Sequence, residues 1–500
     1  MSPLELSLPR LRAELIARPR PGGGTVVTDP VSGRKVGLDV TGKRVYDALG
    51  RARTLTALIG SVGLETAVDA VAQRLAYFTR NAFFEGPRAE RLRAAYSYAE
   101  ARTDVRPVHE LPLRTEPGLR HACQACGSCC SATDVGPLPD AVVQAIQAVD
   151  WSDELGGLSP FREVESAPGQ VVRLMAMRED QCVFLDEDRL CRVHRRLGVE
   201  KKPVPCRQFP YVFTRVGDRI DVSLQMECRA FDRAQRAAGP AAESEPELRD
   251  LLRIGAPVHT VPNVLDFGDG LAMGRDELER IEDALVAAVR AAPLTPSGPV
   301  RALLEGVASV VASVEAPIEE AEASILRPRE EPAVGPNGPL VGAFLADFSA
   351  FLVEAARVAT ERGLDHLARR YTSLASALSE VTTVFDRRVH RFEAPEVIAG
   401  LLADLAVAAL RGKEPVRRGV PLRLGFAVLG LKLLLTAAGA CARARAACRV
   451  HVVAQDLVDS MVLASKLSRD RAVLDFLEQD SARVLLLFAR GQAIHATTPP

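Results

Sequence analysis

The sequence predicts a mainly α protein in three parts. These are a small α+β, winged-helix-like module over residues 21–100, an irregular cysteine-rich metal-binding domain with short hairpins over 101–236, and a helical bundle over 237–500. Three observations predict it. Eight of the ten cysteines fall between Cys123 and Cys228. From Ser244 onward, apolar residues recur at helical spacing in one segment after another. Ahead of the cysteines, residues 25–40 alternate apolar and polar, as a pair of strands does.

A chain of 500 residues has room for more than one core. With 47% apolar and 25% charged residues its composition is that of a globular protein. A formal net charge of -1 gives no general attraction to nucleic acid or to an anionic membrane. The first residues, MSPLELSLPRLRAELIARPRPGGG, are broken by prolines and arginines and hold no apolar run of the signal-peptide kind, so a cytoplasmic location is expected. Leu424 to Ala442 is the nearest approach to a membrane span, but Lys432 lies in its middle. A central lysine opposes insertion by roughly 2.5–3.5 kcal/mol, so a buried helix outside any membrane is expected.

In the first part, TVVTDP and KVGLDV read as strands joined by a turn at Asp29, Pro30, Ser32 and Gly33. Thr41 is the expected N-cap of a helix over VYDALG; a short helix around Leu55 and Leu58 and a longer one from Glu65 to Phe78 follow. The run DPVSGRKVGLDVTGKRVYDALGRARTLTALI, through DP-x-SGR, Leu38, Val45 and Leu49, resembles the small PqqD-type peptide-chaperone domains of the pyrroloquinoline-quinone pathway. That resemblance implies a peptide or protein substrate that adds a strand to the hairpin edge. Arg44, Arg51 and Arg53 are also compatible with DNA binding by a winged helix, and a cap that only packs on its neighbour is the third reading.

The strongest chemical signal is HACQACGSCC, in which Cys123, Cys126, Cys129 and Cys130 spell C-x-x-C-x-x-C-C. Thiolates are soft ligands suited to zinc and iron-sulfur clusters, and C-x-x-C brings two sulfurs of one turn to one metal. The uninterrupted C-x-x-C-x-x-C has the rhythm of bacterial iron-sulfur loops. Gly127 suits a chain that must turn with positive φ. Side chains of the adjacent Cys129 and Cys130 diverge, so they serve two metal atoms more easily than one.

Downstream, Cys182 and Cys191 flank a hairpin with its turn at Asp186 to Arg189, and Cys206 sits in the rigid context P-C-R-Q-F-P. Cys228 is the eighth thiol. Arg192, Arg195, Lys201, Lys202 and Arg207 favour thiolate over thiol and offset the charge of a cysteinyl cluster. Eight thiols fill two four-cysteine sites, or one cluster and one zinc.

The ordered motifs C-x-x-C-G-x-C-C, C-V-F-L before a second cysteine, and C-R-x-F-P resemble the YkgJ-like zinc- or iron-chelating cysteine-cluster family. The resemblance implies metal or iron-sulfur binding by Cys123, Cys126, Cys129, Cys130, Cys182, Cys191 and Cys206, with Cys228 the least regular member. His194 stands where that family usually has an aromatic residue, which favours a packing or hydrogen-bonding role over ligation. The order of cysteine domain and helices is also similar to the flagellin lysine-N-methylases, and that likeness implies S-adenosylmethionine and a lysine-bearing protein substrate.

Two function classes therefore stand at this level: a cytoplasmic metal- or cluster-binding protein, favoured, and a protein-modifying, methylase-like enzyme. A deep cleft with carboxylates between cysteine domain and helices favours the second; a sealed junction disfavours it. VLDFGDGLAMG (264–274) superficially has the glycines of a cofactor loop, but it lacks the surrounding βαβ array, and strand-turn-strand is simpler. The eight histidines show no HExxH spacing, and there is no P-loop or nucleophile elbow. His121 reads as an exposed loop residue, with a supporting role beside the cluster as the alternative. Cys441 and Cys448, seven apart, are expected on one face of one helix as small core residues. The Pro/Gly-rich stretch 327–339 reads as a break between two helical halves.

Overall fold

A computed structural model describes residues 7–20, 24–63, 68–100, 106–115, 121, 127–130, 135–167, 170–178, 181–225, 228, 245–268, 271–295, 298–312, 323, 325, 338–361, 368–369, 371–372, 375–376, 391–392, 395–417, 419–468 and 471–479. The fold is mostly helical with small sheets. Among the described residues no helix is long and apolar enough to cross a membrane.

The anticipated hairpin is β2 (Thr25–Thr28) and β3 (Lys35–Leu38), antiparallel with Val27 opposite Val36. Its turn is held by Asp29, whose carboxylate accepts from Val31 N at 3.0 Å and Ser32 Oγ at 2.8 Å. The buried Arg12 donates to both Asp29 oxygens, at 2.9 and 3.1 Å, and to the Ala82 carbonyl. Burial opposes ionisation of Asp29, but hydrogen bonds from Arg12 and Ser32 outweigh it and hold the carboxyl below its ordinary value. The D-P-x-S-G motif is thus a turn with a charged anchor beneath it.

A third strand, β1 (Ile16–Pro19), pairs antiparallel with the outer edge of β2. Sequence reading missed it because IARP carries no alternation and ends in proline. Helices follow at Val40–Leu49, Leu55–Val62 and Val68–Arg80. The first N-cap is Asp39, not Thr41: Asp39 Oδ1 accepts from Gly42 N at 2.7 Å, and Thr41 already lies in the first turn. Aspartate is the better cap because its carboxylate also meets the positive end of the helix. Val27, Val36, Leu38, Val45, Leu49, Leu58 and Phe78 close this small core. The next helix, Pro87–Glu100, presents Leu92 and Ala95 to Ala272, and Arg91 pairs with Glu277 at 3.3 Å.

The second sheet has the order β11-β9-β10-β4: β9 (Tyr211–Val216) and β10 (Arg219–Leu224) are antiparallel, with β4 (Leu113–Thr115) parallel to β10 and β11 (Val258–Thr260) parallel to β9. Strand alternation gives β9 and β10 two different faces. Phe213, Ile220 and Val222 pack on Leu248, Leu251 and Leu252 of the helix Glu245–Arg253. Thr214, Asp221 and Ser223 point the other way and are buried all the same. The helix Pro395–Arg411 and the turn after it cover them.

The largest core unites the helices Arg275–Ala291, Gly298–Ala312, Gly338–Glu361, Pro395–Arg411, Leu422–Ala446, Ala454–Leu467 and Arg471–Gln479. Most of them carry helical periodicity in the sequence, whereas Leu422–Ala446 is apolar on nearly every face. Lys432 lies inside the helix Leu422–Ala446, 2% exposed, and its Nζ meets both oxygens of the buried Glu414 at 2.9 and 3.0 Å. The apolar stretch is an interior helix whose one cation has an anion. The Ser244 cap and all but the last residues of the break at 327–339 lie outside the described residues.

Beside that pair runs a second set of buried charges. Lys413, in the left-handed region at φ 54, contacts Glu282 and stands 3.7 Å from Asp221. Asp221 also accepts from Arg114 Nε and Arg219 Nε, each at 2.9 Å. Glu282 is fully buried, and burial pushes its carboxyl up to about 7 against the opposing pull of Lys413 and Arg411, while Asp221 adds to the rise. Between about pH 4.5 and 7 the folded protein keeps a proton on Glu282 that the unfolded chain has lost, so stability falls as pH rises through that window. Denaturant unfolding across this range is expected to show a flatter pH profile for Glu282→Gln than for the wild type; equal profiles would contradict the assignment.

Within VLDFGDGLAMG, β12 (Val264–Gly268) and β13 (Leu271–Gly274) are antiparallel, and among the described residues neither has a parallel partner. It is not the opening of a βαβ unit. The helix after it starts where Glu277 Oε2 accepts from Gly274 N at 2.9 Å. The expectation fails for Cys448, while the side chain of Cys441, on the helix Leu422–Ala446, lies outside what is described. The helix ends at Ala446, and Cys448 lies beyond it, exposed and at φ 54.

Candidate metal centre

Residues 177–206 fold tightly for reasons visible in their side chains. β7 (Met177–Arg178) pairs with β8 (Gln181–Cys182), placing Met177 opposite Cys182. The chain reverses at Asp186 to Arg189, where Asp186 N donates to Leu190 O at 2.9 Å and Asp186 Oδ1 accepts from Leu190 N at 2.7 Å. Leu185 and Cys191 then form an antiparallel bridge. Arg192 locks the loop from beneath, donating to the carbonyls of Val183 and Leu185 at 3.1 Å each. The hairpin read from the sequence is therefore present, with its turn where expected.

Cys206 lies in the short helix Val204–Gln208, between two rigid elements: Pro203 and Pro205 before it, and the cis Phe209-Pro210 peptide after it. Cys182, Cys191 and Cys206 all pack at the margin of one small core containing Trp151, Val183, Phe184 and Val193. Trp151 and Phe184 meet edge to face at 4.9 Å, and Arg196 lies over the indole.

The first motif reaches this hairpin through Gly127. At φ 66, a Cβ on Gly127 would stand 2.9 Å from both Arg189 Cβ and Leu185 Cδ1. Glycine is required here both for its backbone conformation and for the close approach. A single 3-10 turn, Ser128–Cys130, follows, with Cys130 N donating to Gly127 O. The sulfurs of Cys129 and Cys130 are 4.0 Å apart.

Electrostatics tie five thiols together. The hydrogen bond from the Cys130 thiol lowers Cys129 below an ordinary cysteine, helped against burial by Lys202. Cys130, half-buried beside the exposed Cys129, is raised in turn, because its own ionisation would forfeit that bond and place a second charge near Cys129, Cys182 and Cys206. Burial pushes Cys182 up to about 11, with Cys191 and Cys129 adding to the rise. Burial likewise pushes Cys206 up to about 12, with Cys182, Cys191 and Cys129 adding and Lys202 opposing. Such thiols resist ionisation when left to themselves. A soft dication supplies the missing positive charge and makes thiolates the favoured form, so this donor set suits zinc or iron.

The remaining sequence candidates are placed differently. Cys123 and Cys126 lie outside the described residues. Cys228 is buried in the large core with Val216 and Leu224. Among the described residues no three His, Cys, Asp or Glu side chains form a group that could hold a metal ion. His194 is exposed on the helix Arg192–Leu197, so the packing role expected for it is not seen. His121 is not an exposed loop residue: it is half-buried, edge-on to Tyr211 at 5.8 Å, and burial lowers its pKa. Nothing in the spacing of His121 signals that contact, because Tyr211 is distant in the chain.

Comparison with protein-family models assigns this region. Residues 122–234 match the CxxCxxCC family. The family is described as a "Putative zinc- or iron-chelating domain". The CxxCxxCC match takes in all eight clustered cysteines, from Cys123 to Cys228. Comparisons with curated proteins and with solved structures gave no match. Support from the comparisons is therefore confined to the CxxCxxCC domain, and none of it extends to a methylase-like enzyme or to S-adenosylmethionine.

Proposed function

We propose that the chain is a metal-binding protein whose CxxCxxCC domain holds iron, as an iron-sulfur cluster, through Cys123, Cys126, Cys129, Cys130, Cys182, Cys191 and Cys206, with Cys228 as a further ligand. One observation carries the reading. Thiols from three separated segments, the Gly127 loop, the Cys182–Cys191 hairpin and the Cys206 helix, lie within electrostatic reach of one another. The C-x-x-C-x-x-C rhythm favours a cluster, and zinc is the second reading because the same thiolates suit it equally. The group bound there supplies either a redox centre or a structural crosslink. The protein's residues contribute thiolates, a Lys202 charge that eases ionisation of Cys129 and Cys206, and a loop fixed by Arg192. A cytoplasmic setting, in which thiols stay reduced, fits this use.

The N-terminal module belongs to the same proposal as the place where a peptide or protein partner docks. With β1 and β3 flanking β2, the strand edges left for an added peptide in the described sheet are those of β1 and β3.

Anaerobic purification of the full chain, followed by elemental analysis and a visible spectrum, tests the proposal. Iron with acid-labile sulfide and a coloured protein is the expected result. A colourless protein carrying zinc alone transfers the site to the second reading, and a protein with neither metal overturns the function.

A further inference from the structure

The three-stranded sheet of the N-terminal module lies with one face on its core and the other face open. Val27 and Val36 stand opposite each other and are buried, so the residues one position away along each strand belong to the outer face. The strand register sets two rows across that face: Ile16, Thr28 and Lys35 in one, Arg18, Val26 and Gly37 in the next. Ile16 is 42% exposed, and Arg18, Lys35 and Gly37 are exposed with it. Arg20 follows β1 and Arg34 precedes β3, both exposed as well.

The charge offered by this sheet has one sign. From Ser7 to Leu38 the chain carries two carboxylates, and both are engaged: Glu14 by Arg12 and Arg93, and Asp29 by Arg12. Asp39, just past β3, caps the next helix and pairs with Arg74. Arg18, Arg20, Arg34 and Lys35, in contrast, have no ion pair and no side-chain hydrogen bond among the described residues. The fold of the module therefore makes no use of these four cations, and their counter-charges must come from outside it. A nucleic acid fits the face poorly. β1, β2 and β3 hold no aromatic residue on which a base could stack, and the whole chain carries a formal net charge of -1. Apolar Ile16 and Val26 share the rows with the cations instead, the mixture of a protein contact.

We infer that the partner docking on this module is an acidic polypeptide segment, whose carboxylates meet Arg18, Arg20 and Lys35 and whose apolar side chains cover Ile16 and Val26. The inference rests on the docking reading given above and adds the chemistry of the partner. Exposed ion pairs of this kind contribute little each, so the charge selects the partner and speeds encounter more than it holds the complex. Binding should accordingly weaken as salt screens the face.

Fluorescence anisotropy of labelled probes titrated with the full-length protein tests this. The probes are a short peptide in which glutamate and valine alternate, the same peptide with glutamine for glutamate, and a single-stranded oligothymidine. Saturable binding of the acidic peptide that weakens with ionic strength is expected, with the glutamine peptide weaker and the oligonucleotide not bound. The double variant Arg18→Glu, Lys35→Glu is expected to weaken the acidic peptide at low salt about tenfold or more, because like charges then face one another. Equal binding of the two peptides leaves the docking reading standing and overturns the inference, whereas binding of neither overturns both. An oligonucleotide bound as tightly as the acidic peptide, or wild-type affinity in the double variant, also overturns the inference. The comparison of the two peptides on the wild type decides the charge requirement even if the variant fails to fold.

Discussion

Cys206→Ser should strip metal from the CxxCxxCC domain and unfold residues 135–206 while leaving the helical core standing. The reason is coupling. Structural zinc sites in small domains contribute on the order of 10 kcal/mol of apparent binding energy that is also folding energy. The core around Trp151 and Phe184 is small, and its margin is made of the thiols themselves. Cys206 lies at that margin in a short helix that opens with Pro203 and Pro205, so its loss removes a candidate donor and a packing contact of the core together. Metal analysis together with tryptophan fluorescence reads the outcome directly, since Trp151 is the single tryptophan and lies in that core. Unchanged metal content and an unchanged Trp151 signal would sink the claim.

Lys413→Met is expected to destabilise the helical part by about 3–5 kcal/mol, the cost of removing one partner from a buried ion pair. The loss arises from what remains: Glu282 fully buried, and Asp221 left to Arg114 and Arg219 alone. Because Glu282 can escape by taking up a proton, the cost should be greater at pH 8 than at pH 5.5. The double variant Lys413→Met, Glu282→Gln should recover most of the stability at pH 8. Guanidinium unfolding of the two variants at both pH values checks this; an equal cost at both would mean that Glu282 does not respond.

The helices and hairpins were largely legible in the sequence because their signals are local. Period-3.6 runs mark the helices Arg275–Ala291 and Pro395–Arg411, and Asp29 to Gly33 mark the β2–β3 turn. The structure departs from the local pattern where a distant partner overrides it or where an element ends before the pattern does. β1 carries no alternation and forms because the edge of β2 receives it. Cys448 lies past the helix end at Ala446, so its seven-residue spacing from Cys441 does not put it on that helix's face. His121 looked like a loop residue until Tyr211 covered it.

The sequence by itself determined which residues are metal-ligand candidates, since thiol identity and C-x-x-C spacing are written within a few positions of one another. It also determined that the stretch around Lys432 needs a counter-charge wherever it is buried. Only the tertiary structure decided that the Gly127 loop lies on the Cys182–Cys191 hairpin, that Glu414 is the anion for Lys432, and that Lys413 meets Asp221 and Glu282 across more than a hundred residues of chain. The physical reason is that helix periodicity and turn chemistry act between near neighbours. The pairing of buried charges and thiols depends on which faces are left to cover one another once those local elements exist.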